Sequence, residues 1–120
     1  MNKILKLFCL FVISLVPFYT TSGFAYIEKD TAVVRIMNKA AGKTQIVPIR
    51  VGQTINYEEM TITAHSCKQT DPFDAENFFV FLEIYTKTDG RVFSGWMNHN
   101  EPGQNPLQND AWDVWLEKCE

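Results

Sequence analysis

Apolar and polar positions alternate most clearly between residues 77 and 98, in two runs, 77–88 and 91–98, that flank Asp89-Gly90. Both runs are rich in aromatic and β-branched residues, the types that fit a pleated, half-buried surface. Asp-Gly suits a two-residue type I′ turn, whose central residues both need φ > 0. That turn predicts a hairpin in which Thr88 faces Arg91, Thr86 faces Phe93, Ile84 faces Gly95 and Leu82 faces Met97. Opposed residues share a face, and faces alternate along each strand. Val80, Leu82, Ile84, Phe93 and Met97 then form the core face. The other face carries Phe79, Phe81, Glu83, Tyr85 and Lys87 against Val92, Ser94, Trp96 and Asn98. A three-residue loop starting at Thr88 shifts the pairing by one and exchanges partners.

The same patterning predicts strands over 32–37 and 44–51, joined by a turn with Gly42 as its left-handed residue. Pro48 cannot donate to a ladder, so the second of these strands belongs at an edge. Residues 54–57 extend briefly. The run 60–67 alternates with Met60, Ile62 and Ala64 inward and Thr61, Thr63, His65 and Cys67 outward. Loops are expected at 68–76 and at 99–110, the latter polar except for Leu107. The closing strand, 111–119, puts Trp112, Val114 and Leu116 on one face and Asp113, Trp115, Glu117 and Cys119 on the other. Short strands at regular spacing with little helix predict an all-β fold, a small antiparallel β-sandwich or partly open β-barrel of about six strands.

The first 25 residues follow another pattern. Lys3 and Lys6 precede an apolar run over 7–16, Pro17 ends it, and small residues stand at Gly23 and Ala25. This is the layout of a secretory signal peptide, with cleavage after Ala25 leaving Tyr26 as the new N-terminus. An uncleaved membrane anchor is the other reading, but the run is shorter than the ~20 residues a spanning helix needs. The expected organisation is a signal peptide over 1–25 and a single small β domain over 26–120. Removing the segment changes the charge. Of 11 basic and 14 acidic residues only Lys3 and Lys6 are lost, so 11 − 2 = 9 basic residues face 14 acidic ones, a net charge of −5. Such a chain is no nucleic-acid binder, which needs a basic patch. Nor does it attach electrostatically to anionic lipid. Membrane contact is expected only through the N-terminal segment, if it stays uncleaved.

Cys9 lies in the discarded run. Cys67 and Cys119 remain, and an even count in an exported chain reads as a disulfide. By the alternation both point outward, so the bond is expected beside the sheet, near His65 and Glu117, and worth ~4 kcal/mol for a loop of this length. The alternative is a zinc site of Cys67, Cys119, His65 and His99. The cysteines lack the close spacing of zinc modules, so no metal and no cofactor is expected.

No glycine-rich phosphate loop, nucleophile elbow or metalloprotease motif occurs in the sequence. No catalytic residue is assigned. Glu83 and Asp113 are carboxylates set in apolar strands, and two carboxylates can carry out acid–base hydrolysis. Each is also simply an outward-facing residue of its strand. The stronger cluster is aromatic: Phe79, Phe81, Tyr85 and Trp96, with Trp115 as a fifth candidate, form a potential binding surface. The competing reading covers these rings with the 68–76 loop or another sheet. Large exposed apolar patches are uncommon on soluble monomers, which weighs toward a cover.

The phrase Arg91-Val92-Phe93-Ser94-Gly95-Trp96-Met97, followed by Asp113-Val114-Trp115-Leu116 and a cysteine near the end, resembles a known family. Val51-Gly52-Gln53-Thr54 and Met60-Thr61-Ile62-Thr63-Ala64, leading into Cys67, fit the same pattern. It is similar to the small exported proteins of alphaproteobacteria classed as domain of unknown function 2155. The resemblance implies the periplasm of a Gram-negative bacterium and no particular activity. The function expected is a non-enzymatic periplasmic binding or envelope-assembly module, whose partner is another envelope protein or a cell-wall component. The alternative is an enzyme acting on cell-wall glycan with Glu83 or Asp113 as the acid.

Overall fold

The structure, a computed structural model, describes residues 26–120. The expected signal peptide and its cleavage site lie outside the described residues, apart from Tyr26. The described chain is all strand and turn: β1 (Ile27–Glu28), β2 (Thr31–Asn38), β3 (Lys43–Arg50), β4 (Thr54–Tyr57), β5 (Met60–Gln69), β6 (Phe78–Thr86), β7 (Gly90–Asn98) and β8 (Trp112–Cys119). The six long strands are those the patterning predicts, β4 is the brief extension expected over 54–57, and β1 is a short addition. One sheet runs β1-β5-β6-β7, with β4 also paired to β5; the other runs β3-β2-β8, and every pairing is antiparallel. We call them the large and the small sheet. They pack face to face as an open sandwich. Ile62, Leu82 and Ile84 from the large sheet and Val34, Ile36 and Leu116 from the small one are almost fully buried in one core. Pro48 sits in β3, an edge strand, as its missing N–H requires. Gly42 takes a positive φ of 66° in the β2–β3 turn.

The hairpin keeps its expected faces, except that Val92, expected on the outer face, is the bulged residue and packs against the core, but it does not keep its expected register. Only Gly90 has positive φ (70°) in this turn, so no type I′ turn forms. The Asp89 N–H donates to Thr86 Oγ1 (3.0 Å), and a loop of Lys87, Thr88 and Asp89 joins the strands at the pair Thr86↔Gly90. This wider loop alone would turn Phe93 outward. A bulge at Val92 adds one residue to β7 and restores the parity, giving Ile84↔Phe93, Leu82↔Gly95 and Val80↔Met97. Phe93 and Met97 are buried as expected, while Trp96 pairs with Phe81 instead of Glu83.

Two further bulges overturn the outward placement of the cysteines. In β5 the register shifts between Ala64 and Ser66, leaving His65 as the extra residue. In β8 it shifts so that Leu116 opposes Val34 and Lys118 opposes Val33, leaving Glu117 as the extra residue. Each insertion reverses which way the following residues point. Cys67 and Cys119 therefore both face inward, 1% and 4% exposed. They form the expected disulfide, with Cα atoms 5.7 Å apart. The bond lies within the core and ties β5 of the large sheet to β8 of the small one, not beside a sheet. The chain end is held further by reciprocal backbone bonds between Thr31 and Glu120 (2.9 and 2.8 Å).

The loop at 99–110 runs from the β7 edge to the β8 edge and closes the seam between the sheets. Leu107, its one large apolar residue, is 4% exposed and joins the core. Asn105 Nδ2 donates to the Trp96 carbonyl (3.1 Å), fastening the loop to β7. A Cβ on Gly95 would stand 2.8 Å from that same Nδ2, so glycine is what lets the loop approach.

Candidate functional site

The outer face of the large sheet is built from rows of paired residues. Across β5, β6 and β7 they read Lys68–Phe79–Asn98, Ser66–Phe81–Trp96, Thr63–Glu83–Ser94 and Thr61–Tyr85–Arg91. Phe81 and Trp96 meet edge to face, ring centroids 5.4 Å apart. On the other side of Phe81 the bulged His65 packs at 5.7 Å, and its Nε2 stands 3.5 Å from Glu83 Oε2. Lys68 Nζ lies 5.5 Å from the centre of the Trp96 ring, a cation–π distance. Tyr26, just ahead of β1, sets its ring against Phe79 at 5.7 Å. Tyr26, Lys68, Phe79 and Trp96 together frame a hollow of about 190 Å³.

The structure thus brings together Phe79, Phe81, Tyr85 and Trp96. Among the described residues no second layer hides the face: Trp96 and Tyr85 are each 42% exposed, Phe79 and Phe81 are half-buried, and Tyr85 stands two rows from Phe81, beyond Glu83. Trp115 is not with them. It lies on the outer face of the small sheet in the row Ile46–Arg35–Trp115, where Arg35 Nε bonds Glu117 Oε1 at 2.6 Å. Alternation shows which residues share a face of one strand, but not which sheet that strand joins. Two members of the face were not apparent from the sequence. Lys68 reads there as the start of a loop, because the bulge at His65 breaks the count. Tyr26 reads as part of a polar lead-in, because β1 is too short to show a period.

Glu83 and Asp113 are on different sheets. Asp113 falls in the row Thr44–Met37–Asp113 of the small sheet and lines a hollow of about 390 Å³ at the β7–β8 seam, whose walls include Asn98, Asn105 and Trp115. Glu83 does not reach that hollow, so the two carboxylates do not form a hydrolytic pair. The zinc alternative is not assembled either, since both thiols are in the disulfide. His99 stands apart from His65; its Nδ1 bonds the Leu116 carbonyl (2.8 Å) and its ring packs on Phe78 (5.8 Å), which braces the start of the closing loop. Among the described residues no group of three His, Cys, Asp or Glu side chains is placed to hold a metal ion.

Residues 32–119, from the inward Ala32 of β2 to the disulfide's Cys119, match the profile of a family described as an uncharacterized protein conserved in bacteria (DUF2155). The chain belongs to this family. The matched segment contains the small sheet almost entirely, the large sheet without β1, all three bulges and the disulfide, and Tyr26 and β1 lie before it. Searches of curated proteins and of solved structures found no match.

Proposed function

We propose that this DUF2155 domain is a non-enzymatic binding module of the bacterial envelope, and that the outer face of the large sheet is where it meets another envelope protein. The observation that carries this reading is the exposed Trp96, set between Phe81 and Lys68 on a face that none of the described residues covers. Aromatic rings present much contact area for little conformational entropy, and hot spots of interfaces are enriched in Trp and Tyr. The buried disulfide and the signal-like first 25 residues favour an oxidising compartment, the periplasm of a Gram-negative cell.

A photo-crosslinking residue at Ser94, exposed on the same face, tests the proposal in intact cells. A discrete adduct from Ser94, and none from the same residue at Ile46 on the small sheet, is the expected result. Adducts from Ile46 alone would move the contact surface to the small sheet. N-terminal sequencing of the exported protein should begin at Tyr26.

A further inference from the structure

The hollow framed by Tyr26, Lys68, Phe79 and Trp96, about 190 Å³, falls below the ~300–1,000 Å³ of small-molecule sites. Its size suits one large side chain. Three of its four walls are aromatic, and the Tyr26 and Trp96 rings at its rim stay about half exposed. A pocket of this kind takes the anchor residue of a partner.

The charges around it select what flanks that anchor. Lys68 is the one cationic side chain among its lining residues, and among the described residues it has a single ion pair, with Glu28 at 4.0 Å. The Glu28 side chain is 81% exposed, so this pair contributes little and is readily exchanged for another carboxylate. At the far end of the face Arg91, opposite Tyr85, has no ion pair among the described residues. The carboxylate in the middle, Glu83, is already beside His65. The two ends of the aromatic strip are thus basic on a domain that is acidic as a whole.

We propose that the occupant is a protein segment carrying an aromatic or branched aliphatic residue with Asp or Glu close beside it. The apolar side chain fills the hollow and the carboxylate replaces Glu28 at Lys68. This rests on the outer face being the contact surface. An acidic segment is repelled by most of the domain and attracted here, so charge sets its position as well as its encounter rate. Such binding weakens as salt rises.

Random-peptide display against the purified exported protein tests this, with a synthetic peptide of the enriched consensus used for affinity measurement. The consensus should join an aromatic, Leu or Ile to an acidic residue. Trp96→Ala should weaken the peptide by about 30-fold or more, the hot-spot threshold expressed as an affinity ratio. Lys68→Glu should weaken it about tenfold and bind better a version of the peptide with Lys in place of the acid. Tyr26→Ala, at an exposed position just ahead of β1, removes one wall without touching the core and should also weaken binding. Peptides that need Trp96 but show no acidic preference, and bind Lys68→Glu equally well, would overturn this inference and leave the contact surface standing. No enrichment, or binding indifferent to both Trp96→Ala and Tyr26→Ala, would overturn both.

Discussion

Trp96 and Phe93 are three residues apart on β7 and have opposite fates. Phe93 is 8% exposed against the core, and Leu82 across the sheet is fully buried. Truncating either to alanine should lower stability by ~2–5 kcal/mol, through lost burial and the cavity left behind. Trp96 lies on a solvent-facing surface, so Trp96→Ala should lower it by only about 1 kcal/mol, the value of one aromatic pair and a cation–π contact. Urea denaturation of the three variants decides the matter: an equal loss for all three would make Trp96 part of the core and remove the binding face. Gly95 permits a second test at this scale. Alanine there crowds the Asn105 amide and should break its bond to the Trp96 carbonyl, a loss of ~0.5–1.5 kcal/mol. Asn105→Ala should lose about as much, and the double variant little more than either, because both remove one interaction. Full additivity in that cycle would mean that Gly95 and Asn105 act separately.

At the scale of the strand, the bulges decide where the cysteines point. Deleting His65 removes the extra residue of β5 and leaves Ile62 and Cys67 four positions apart, so plain alternation then keeps both on the core face. The expected outcome is a variant that loses the bulge but keeps its disulfide, with no free thiol counted by a thiol reagent in denaturant without reductant. Free thiols in the deletion variant would contradict this account. The same bulges mark the limit of what was legible in the sequence. Strand positions, the edge placement of Pro48 and the hairpin's core face followed from alternation, because burial on one side imposes a period of two. His65, Val92 and Glu117 carry no glycine or proline to announce an inserted residue. In the hairpin a wider loop and a bulge cancel in parity, so every named strand residue but the bulged Val92 keeps its expected face. In β5 and β8 a single bulge stood alone, and Cys67 and Cys119 were assigned the wrong side. The binding face was partly legible for the same reason: Phe79, Phe81, Tyr85 and Trp96 share a continuous hairpin, whereas Lys68 lies beyond a bulge and Trp115 belongs to the other sheet.

Across the whole molecule, the sheets are joined by the shared core, by the loop that carries Leu107, and by one covalent bond. A domain of this size buries a smaller fraction of its surface than a larger one and so depends more on such a staple. The two cysteines are 52 residues apart in sequence and sit on different sheets, so the bond restrains one sheet against the other as well as closing a loop. Chain-entropy reasoning gives ~4 kcal/mol for a loop of this length, a large share of the 5–15 kcal/mol that stabilises a typical domain. The pair Cys67→Ala/Cys119→Ala should therefore lower the urea midpoint by about 1–4 M, for a slope of ~1–3 kcal/mol/M. Alanine is the cleaner replacement, because serine would put two hydroxyls into an apolar core. Leu107→Ala supplies the comparison. It opens the seam without cutting the staple and should lower stability by ~2–5 kcal/mol while leaving the thiols oxidised. If the staple is what holds the sheets in register, the double alanine variant should also lose protection from hydrogen exchange across β2 and β8 together, since the small sheet is then held by packing alone. A loss confined to the last residues of β8 would instead show that the bond only pins a fraying terminus, and that the core and the Leu107 loop suffice to keep the sandwich closed.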